Sequence, residues 1–208
     1  MKRDNHWQPC DTKIFWGEIA PCNHVLQIYE DDQVFLDSLE GFVSSGFEAG
    51  ESVIVIATTA HLIALDNQLK SHNFDTDALI AANQYIPLNA EEALTRFMVV
   101  GWPDRNLFMD WVNELLIRAR TNGRQVRAFG EMVAILWAQG YSGATVQLEQ
   151  LWNEFCDTQA FCLFCAYPKS GFTEDANTSI RNICSAHSTM IERSEVNTGE
   201  IFYKSLYQ

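Results

Sequence analysis

Unbroken apolar runs constrain the fold of this chain more than any other feature of its sequence. Ser52–Ala57 (SVIVIA) and Phe161–Tyr167 (FCLFCAY) contain no charged residue, and Val126–Phe129 opens a third apolar segment. Runs without polar alternation are typical of strands that are covered on both faces, as in parallel sheets. Helical patterns separate these strands, and the clearest runs from about Asp104 to Asn122. The pattern predicts an α/β fold, a three-layer sandwich with a mainly parallel central sheet.

Shorter signals predict the remaining elements. These are a strand at His24–Tyr29, a helix ending at Gly46, a helix from about Ala60 to His72, a strand at Tyr85–Leu88, a helix from Asn89 to near Gly101 and a last helix from about Asp175 to Glu192. Pro87 assigns its strand to a sheet edge, because proline cannot donate a ladder hydrogen bond. The expected division is an N-terminal arm at 1–23, an α/β domain at 24–192 and a tail at 193–208.

Composition and charge exclude several kinds of partner. The chain has 208 residues, of which 47% are hydrophobic, so it can bury a sizeable core. Its formal charge of −13 repels phosphate backbones and anionic membranes, so we expect no direct contact with nucleic acid or membrane. No run approaches the roughly 18 apolar residues of a spanning helix, and no signal peptide is evident. We therefore expect a cytoplasmic protein whose six cysteines are reduced.

The direction of the strands predicts where a ligand would bind. In a parallel sheet the carboxyl ends of the strands meet at one edge, and open α/β sheets bind ligands there. That edge would gather the ligand-binding candidates Tyr29, Glu30, Asp31, Thr58, Glu131 and Tyr167. The two tyrosines would supply aromatic walls with hydroxyl tips. His187 would join them if the last helix packs back across the same edge.

Glu131 has two interpretations. It is the only acidic residue between Glu114 and Glu149, and it opens a helix that is apolar nearly all round, Met132–Ala138. A lone carboxylate at that position suits a ligand pocket. A negative charge is equally favoured in the first turn of a helix, where the helix dipole stabilises it.

The acids at 30–32 also have two interpretations, as a helix start or as part of a site. They follow the first predicted strand of the domain, where a nucleotide-binding protein would carry a phosphate loop. The chain contains no GxxxxGK[ST] loop and no GxGxxG, HExxH or GxSxG motif. We therefore expect no conventional ATP or GTP site and no cofactor.

The cysteines and histidines offer only weak metal-ligand patterns. Cys184 and His187 are three residues apart on the predicted last helix, a spacing that suits chelation. Cys162 and Cys165 have the same spacing in a predicted strand, which directs them to opposite faces. The simpler interpretation is that the cysteines are small core residues and His187 a satisfied polar group. We expect neither a bound metal nor a disulfide.

Several motifs together resemble the MEDS sensory domain, which is named for methanogens, methylotrophs and the regulator of dichloromethane dehalogenation. In chain order they are HVLQIYEDDQVFL, ESVIVIATTAHLIAL, RAFGEMVAILWAQG, LEQLWNEF, FCLFCAYP and ICSAH. The resemblance spans about His24 to Met190. It implies a RecA/KaiC-like core of the P-loop NTPase type that lacks the phosphate loop, with YEDD in the place of that loop.

The resemblance also implies a function. Members of the family accompany transcription regulators and sensor kinases and are thought to sense small organic molecules. We therefore expect a non-catalytic sensory domain that binds a small organic ligand, such as a hydrocarbon derivative. It would signal through a partner such as a sensor kinase or regulator, and a homo-oligomer is compatible with this role.

Two alternatives remain open. The first is a divergent metal- or nucleotide-dependent hydrolase that uses Glu131 and the acids at 30–32. The second is a pure interaction module in which residues 1–23 and the tail IFYKSLY dock a partner.

Overall fold

The computed structural model describes residues 6–20, 23–172, 177–193 and 199–206. The strands are β1 (Gln8–Asp11), β2 (His24–Tyr29), β3 (Ser52–Ala57), β4 (Tyr85–Asn89), β5 (Met98–Val99), β6 (Trp102–Pro103), β7 (Val126–Gly130), β8 (Cys162–Pro168), β9 (Thr189–Arg193) and β10 (Glu200–Ser205). The helices are α1 (Thr12–Glu18), α2 (Asp32–Glu48), α3 (Thr59–Ser71), α4 (Thr76–Ala81), α5 (Ala90–Leu94), α6 (Arg105–Ala119), α7 (Met132–Ala138), α8 (Ser142–Thr158) and α9 (Asn177–Ser185).

The central sheet is mainly parallel. Within the described ranges it has eight strands in the order β1-β10-β9-β2-β8-β7-β3-β4. Neighbouring strands from β9 to β4 are parallel, whereas β10 runs antiparallel to both β9 and β1. The prediction of an α/β fold with a mainly parallel sheet is confirmed. The strand that carries Pro87, β4, lies at an edge as expected.

A layer of helices covers each face of the sheet. Helices α1 to α4 pack on one side, which we call the α1–α4 face, and α5 to α9 on the other, the α5–α9 face. All six residues of β3 are buried, as its unbroken apolar run predicts. The three-layer arrangement is therefore confirmed. Among the described helices, none combines the length and the hydrophobicity needed to cross a membrane.

The last helix is shorter than the sequence predicts. Helix α9 ends at Ser185, and Thr189–Arg193 form a strand instead of continuing the helix to Glu192. The predicted start at Asp175 lies outside the described residues. Strand β9 pairs with β2 and β10, so hydrogen bonds to remote parts of the chain override the local helical spacing. His187 consequently lies in the connection between α9 and β9.

The helix predicted from Asn89 to Gly101 is also replaced in part. Helix α5 ends at Leu94, and β5 and β6 follow as an antiparallel hairpin. The hairpin turns at Val100 and Gly101, which have φ angles of 49° and 80°. The glycine therefore serves the turn of a hairpin and not the end of a helix.

The predicted arm and tail meet in the same sheet. Strand β1 of the arm pairs with β10 of the tail, with Gln8 opposite Tyr203. Trp16 of α1 is fully buried, and its ring packs against Phe42 and Phe164. Both segments thus extend the sheet of the α/β domain.

A buried arginine joins the sheet to α2. Arg127 of β7 forms an ion pair with Glu51, and its Nη1 donates to Phe42 O at 2.9 Å and Ser45 Oγ at 3.0 Å. The guanidinium fits because residue 46 has no side chain: a Cβ on Gly46 would lie 2.8 Å from Arg127 Cδ. The sequence predicts that this helix ends at Gly46, but it continues to Glu48. The glycine is therefore required by packing and not by the end of the helix.

Gly46→Ala should lower the free energy of unfolding by about 1–3 kcal/mol, the usual cost of overpacking a core. The added methyl group would also lie 2.8 Å from Val53 Cγ2. Gly17→Ala is the matched control, because Gly17 is helical and its Cβ would meet nothing within 4 Å. We expect the control to raise stability by up to about 1 kcal/mol through helix propensity. Urea denaturation followed by circular dichroism measures both, and equal effects would contradict the packing role.

Candidate functional site

The carboxyl ends of the parallel strands meet at one edge, as the sequence predicts. Strands β2 and β8 end in register, with Tyr29 opposite Pro168, and Ile56 of β3 lies opposite Gly130 of β7. Helices α2, α3 and α7 begin directly after β2, β3 and β7. Their first turns therefore border the same edge.

A cleft of about 750 Å³ opens at this edge beside β2. One side of the cleft is formed by the end of β2 and the start of α2. The other side is formed by α9, β9 and β10. Its apolar wall includes Trp7, Phe172, Ile180, Met190 and Phe202. The volume falls within the roughly 300–1,000 Å³ typical of small-molecule sites. Three of the ligand-binding candidates line it: Tyr29, Glu30 and Asp31.

Tyr29 supplies the cleft with an aromatic ring and a neutral hydroxyl. The ring stacks on Phe35, with centroids 4.7 Å apart and planes inclined by 16°. Burial raises the pKa of the phenol, and the charges of Glu131 and Asp32 raise it further. The hydroxyl is therefore protonated at neutral pH and can donate a hydrogen bond to a ligand.

Gln27 supplies the cleft with a buried acceptor that sequence reasoning missed. Its Nε2 donates to Ser38 Oγ at 3.1 Å, and Ser38 Oγ donates to Val34 O at 3.0 Å. No described residue donates to Gln27 Oε1, although the side chain is buried. A buried acceptor without a partner is costly, which makes this oxygen a candidate contact for a ligand. The sequence feature that could have identified it is a glutamine between the apolar residues Leu26 and Ile28 of a strand.

The start of α2 is occupied by its own aspartate. Asp31 Oδ1 accepts hydrogen bonds from Gln33 N at 2.8 Å and Val34 N at 3.1 Å, so the helix-start interpretation of this acid is confirmed. Glu30 pairs with Lys169 at the mouth of the cleft. Free amides at a helix N-terminus are what a phosphate loop offers to an anion. Here a carboxylate already binds them.

Glu131 joins β7 to the start of α3. Its Oε2 accepts from Thr58 N at 2.8 Å, and its Oε1 lies 2.8 Å from His61 Nδ1. The hydrogen bond raises the pKa of His61, against the opposing effect of partial burial. The Glu131 side chain makes no capping bond to its own helix, α7. The carboxylate thus stabilises the neighbouring helix start, and Thr58 takes part through its backbone amide.

Tyr167 lies on the opposite face of the sheet from Tyr29. In the β2–β8 register it is opposite Ile28, so side-chain alternation sends it into the core of the α5–α9 face. Tyr167 is fully buried, and its hydroxyl donates to Glu149 Oε1. The two tyrosines therefore do not form the two walls of one pocket, as the sequence leads us to expect.

Four titratable side chains meet in the core of the α5–α9 face, and we call them the histidine cluster: His24, Glu149, Cys165 and His187. The two imidazole rings lie with centroids 3.9 Å apart and planes tilted by 35°, and His24 Nε2 lies 3.3 Å from Cys165 Sγ. Glu149 Oε2 lies 3.6 Å from His24 Nε2 and 3.7 Å from His187 Nε2. None of the four residues is more than 3% exposed.

Burial keeps the histidine cluster uncharged at neutral pH. It raises the pKa of Glu149 to about 8, despite the hydrogen bond from Tyr167, and lowers the pKa of His187 to about 4. It also lowers the pKa of His24 and raises that of the Cys165 thiol. Without a bound ion the cluster thus contains a carboxylic acid, two neutral imidazoles and a thiol.

The structure separates the weak metal-ligand pair that the sequence suggests. His187 belongs to the histidine cluster, whereas the sulfur of Cys184 does not. Because α9 ends at Ser185, these two residues do not share a helical face, and His187 lies against His24 at the start of β2, away from the carboxyl edge. Sequence reasoning did not bring the other three members together, because they lie in three separate elements, and it considered Cys165 only as a partner of Cys162. No disulfide joins any two of the cysteines that the structure describes, which leave out Cys22.

Comparison with known proteins decides the family. Residues 23–188 match the family described as MEDS, the methanogen/methylotroph, DcmR sensory domain. The chain belongs to the MEDS family. The resemblance that its motifs suggest is confirmed, and the family description points to a sensory role. No curated protein matches the chain.

Solved structures similar to this MEDS chain share its fold. A protein from a structural study of Pyrococcus horikoshii OT3 superposes with a TM-score of 0.57 at 9% identity, over 90% of each chain. A KaiC-like protein from the same hyperthermophilic archaeon has a TM-score of 0.56 at 11% identity, over 89% of this chain and 80% of that one. Identities this low bear on fold alone. The RecA/KaiC-like fold that the resemblance implies is confirmed.

Glu131→Gln should lower the pKa of His61, because it removes the charge that holds the imidazole proton. A histidine whose pKa is raised on folding stabilises the protein fully below its unfolded pKa of about 6.5, and this contribution is lost as pH rises through the folded pKa. The variant should therefore lose most stability in mildly acidic solution and less at alkaline pH. NMR titration of the His61 ring and denaturation at several pH values measure these effects.

The control for this prediction is Glu40→Gln, which removes the carboxylate 2.9 Å from His72 Nδ1 and does not touch His61. It should leave the titration of His61 unchanged. If Glu131→Gln also leaves it unchanged, the Glu131–His61 bond does not exist in solution.

We expect no appreciable affinity for ATP at the start of α2. The amides of Gln33 and Val34 already bind the Asp31 carboxylate, and Glu30 adds a second acid beside them. A triphosphate at this position would meet carboxylates where a phosphate loop offers amides and a lysine. Isothermal titration with Mg-ATP should give no binding heat. An assay of phosphate release should show no turnover. A dissociation constant in the micromolar range would contradict this expectation.

Proposed function

We propose that this MEDS chain is a non-catalytic sensory domain that binds a small organic molecule in the cleft beside β2 and signals through a partner protein. The observation that carries the proposal is the cleft's position at the carboxyl edge of a parallel sheet, where α/β folds bind ligands. The description of the family as a sensory domain supports the same function.

The apolar wall of the cleft favours a ligand with an apolar part and one hydrogen-bonding group. Phe172, Ile180 and Met190 would contribute through apolar burial, at roughly 25 cal/mol per Å². The Tyr29 hydroxyl can donate a hydrogen bond and Gln27 Oε1 can accept one. Small alcohols, ketones and amines have this chemistry.

The cleft joins two parts of the sheet that a ligand could bring into one arrangement. Tyr29 and Val34 come from β2 and α2, near the centre, whereas Met190 and Phe202 come from β9 and β10, near the edge. A molecule that contacts both parts stabilises the arrangement in which both contacts are made.

An exposed apolar hairpin supports the second half of the proposal, a protein partner. Val100 at the tip of the β5–β6 hairpin is 95% exposed, and Trp102 and Tyr141 beside it are half exposed. Val100 also has a φ of 49°, a strained value for a β-branched residue. Exposed apolar side chains grouped in one place favour a binding surface for a partner or for a second copy of the chain.

The hydrolase alternative has less support from the same residues. Asp31 is engaged in capping α2, and both oxygens of Glu131 are engaged with Thr58 N and His61. A shared metal or a general base would require these carboxylates to leave their present partners.

Ligand-observed NMR against a panel of short-chain alcohols, ketones, methylamines and halogenated alkanes tests the cleft. Ile180→Trp should weaken binding of the hits, because the larger side chain takes up part of the cleft volume. Ile117→Trp is the matched control, since Ile117 is 75% exposed on α6 and does not line the cleft. Tyr29→Phe should weaken ligands that accept its hydrogen bond by about 0.5–1.5 kcal/mol.

Two outcomes would count against the proposal. Hits that bind equally well to Ile180→Trp would have their site elsewhere. A panel without any hit at millimolar concentration would remove the support for an organic ligand.

A further inference from the structure

The histidine cluster lies apart from the cleft, and its four members come from β2, α8, β8 and the α9–β9 connection. We propose that it binds one divalent transition-metal ion, zinc above all. The ligand atoms would be His24 Nε2, His187 Nε2, Glu149 Oε2 and Cys165 Sγ. Binding of this ion is independent of the sensory function proposed for the cleft.

The ligand atoms have nearly the spacing that a tetrahedral ion requires. All four lie within 4.8 Å of one another, with His24 Nε2 at 3.3 Å from Cys165 Sγ and 3.6 Å from Glu149 Oε2. Zinc bonds of roughly 2.0–2.3 Å give tetrahedral edges of about 3.3–3.6 Å between ligand atoms. Small side-chain rotations therefore suffice to close the cluster around an ion.

Both imidazoles direct a lone pair into the cluster. His24 Nδ1 lies 2.9 Å from Ala186 O, and His187 Nδ1 lies 2.7 Å from Ile183 O. A carbonyl oxygen only accepts, so each Nδ1 carries the proton and each Nε2 of the neutral rings has a lone pair, which at His24 faces the Cys165 thiol. Metal-binding histidines are commonly held by such a bond from the other ring nitrogen.

Two polar atoms in the cluster are buried without a hydrogen bond. His187 Nε2 and Glu149 Oε2 have no partner in the part of the chain that the structure describes. Their separation of 3.7 Å is too long for a shared proton to satisfy both. Tyr167 donates to the other oxygen of Glu149. A cation between the two orphaned atoms would satisfy both at once.

Charge and donor chemistry select the ion. The thiolate of Cys165 and the carboxylate of Glu149 would bring two negative charges, which neutralise a divalent ion inside an apolar core. Calcium and magnesium take oxygen ligands and are disfavoured by two nitrogens and a sulfur. Zinc accepts this donor set in tetrahedral geometry. Four protein ligands complete its coordination, so the ion would fasten the α9–β9 connection to β2, β8 and α8.

Metal binding by the full chain tests the site, and the chain is refolded with the ion because the cluster is closed to solvent. After gel filtration the protein should retain one zinc per chain. With Co²⁺ it should show the visible bands of a tetrahedral ion and a thiolate-to-cobalt band in the near ultraviolet. Cys165→Ser should abolish the thiolate band and lower zinc affinity by about 100-fold or more.

Cys162→Ser is the matched control, because Cys162 is buried in the same strand and faces the α1–α4 core. It should leave zinc affinity and the thiolate band unchanged. A wild-type chain that retains no zinc would overturn the proposal. So would a cobalt complex without a thiolate band, or a Cys162→Ser variant that loses the band.

X-ray absorption on the zinc-loaded wild type decides the question if Cys165→Ser does not fold. One sulfur at about 2.3 Å together with nitrogen and oxygen at about 2.0–2.2 Å would support the site. A first shell of nitrogen and oxygen alone would overturn it.

Discussion

The parallel pairing of β2 with β8 is the interaction on which the cleft and the histidine cluster both depend. It sets Ile28 opposite Tyr167 and Tyr29 opposite Pro168, so alternation sends the two tyrosines to opposite faces. The same register brings His24 and Cys165 to one face, where their side chains meet. A slip of one residue would exchange the faces and destroy both arrangements.

The start of α2 shows a carboxylate of the chain itself at the amides that open a helix of this RecA/KaiC-like fold. Asp31 satisfies the amides that a phosphate loop would present to an anion, and the connection from β2 is only two residues long. The carboxyl edge nevertheless keeps its position and its concave shape, because these follow from strand direction and not from the loop. In our proposal the cleft takes an organic molecule where related folds hold a phosphate chain.

Features of the fold that depend on local chemistry were predictable from the sequence. The unbroken run in Ser52–Ala57 identifies a strand covered on both faces, Pro87 an edge strand and Asp31 a helix start. Strand β9 was not predictable in this way. The spacing of Ile183, His187 and Ile191 fits a helix, yet β9 forms because β2 and β10, remote in sequence, offer it hydrogen bonds.

The amino-acid sequence by itself determined the α/β class, the strands β2, β3, β4, β7 and β8, the family and the sheet edge that carries Tyr29, Glu30 and Asp31. Hydrophobic pattern and strand direction encode all of these within short stretches of chain. Only the tertiary structure decided that Tyr167 leaves that edge and that His24, Glu149, Cys165 and His187 meet in the core. Which side chains meet in the core depends on strand register and helix packing. The periodicity of apolar residues does not specify which polar side chains the register and the packing bring together.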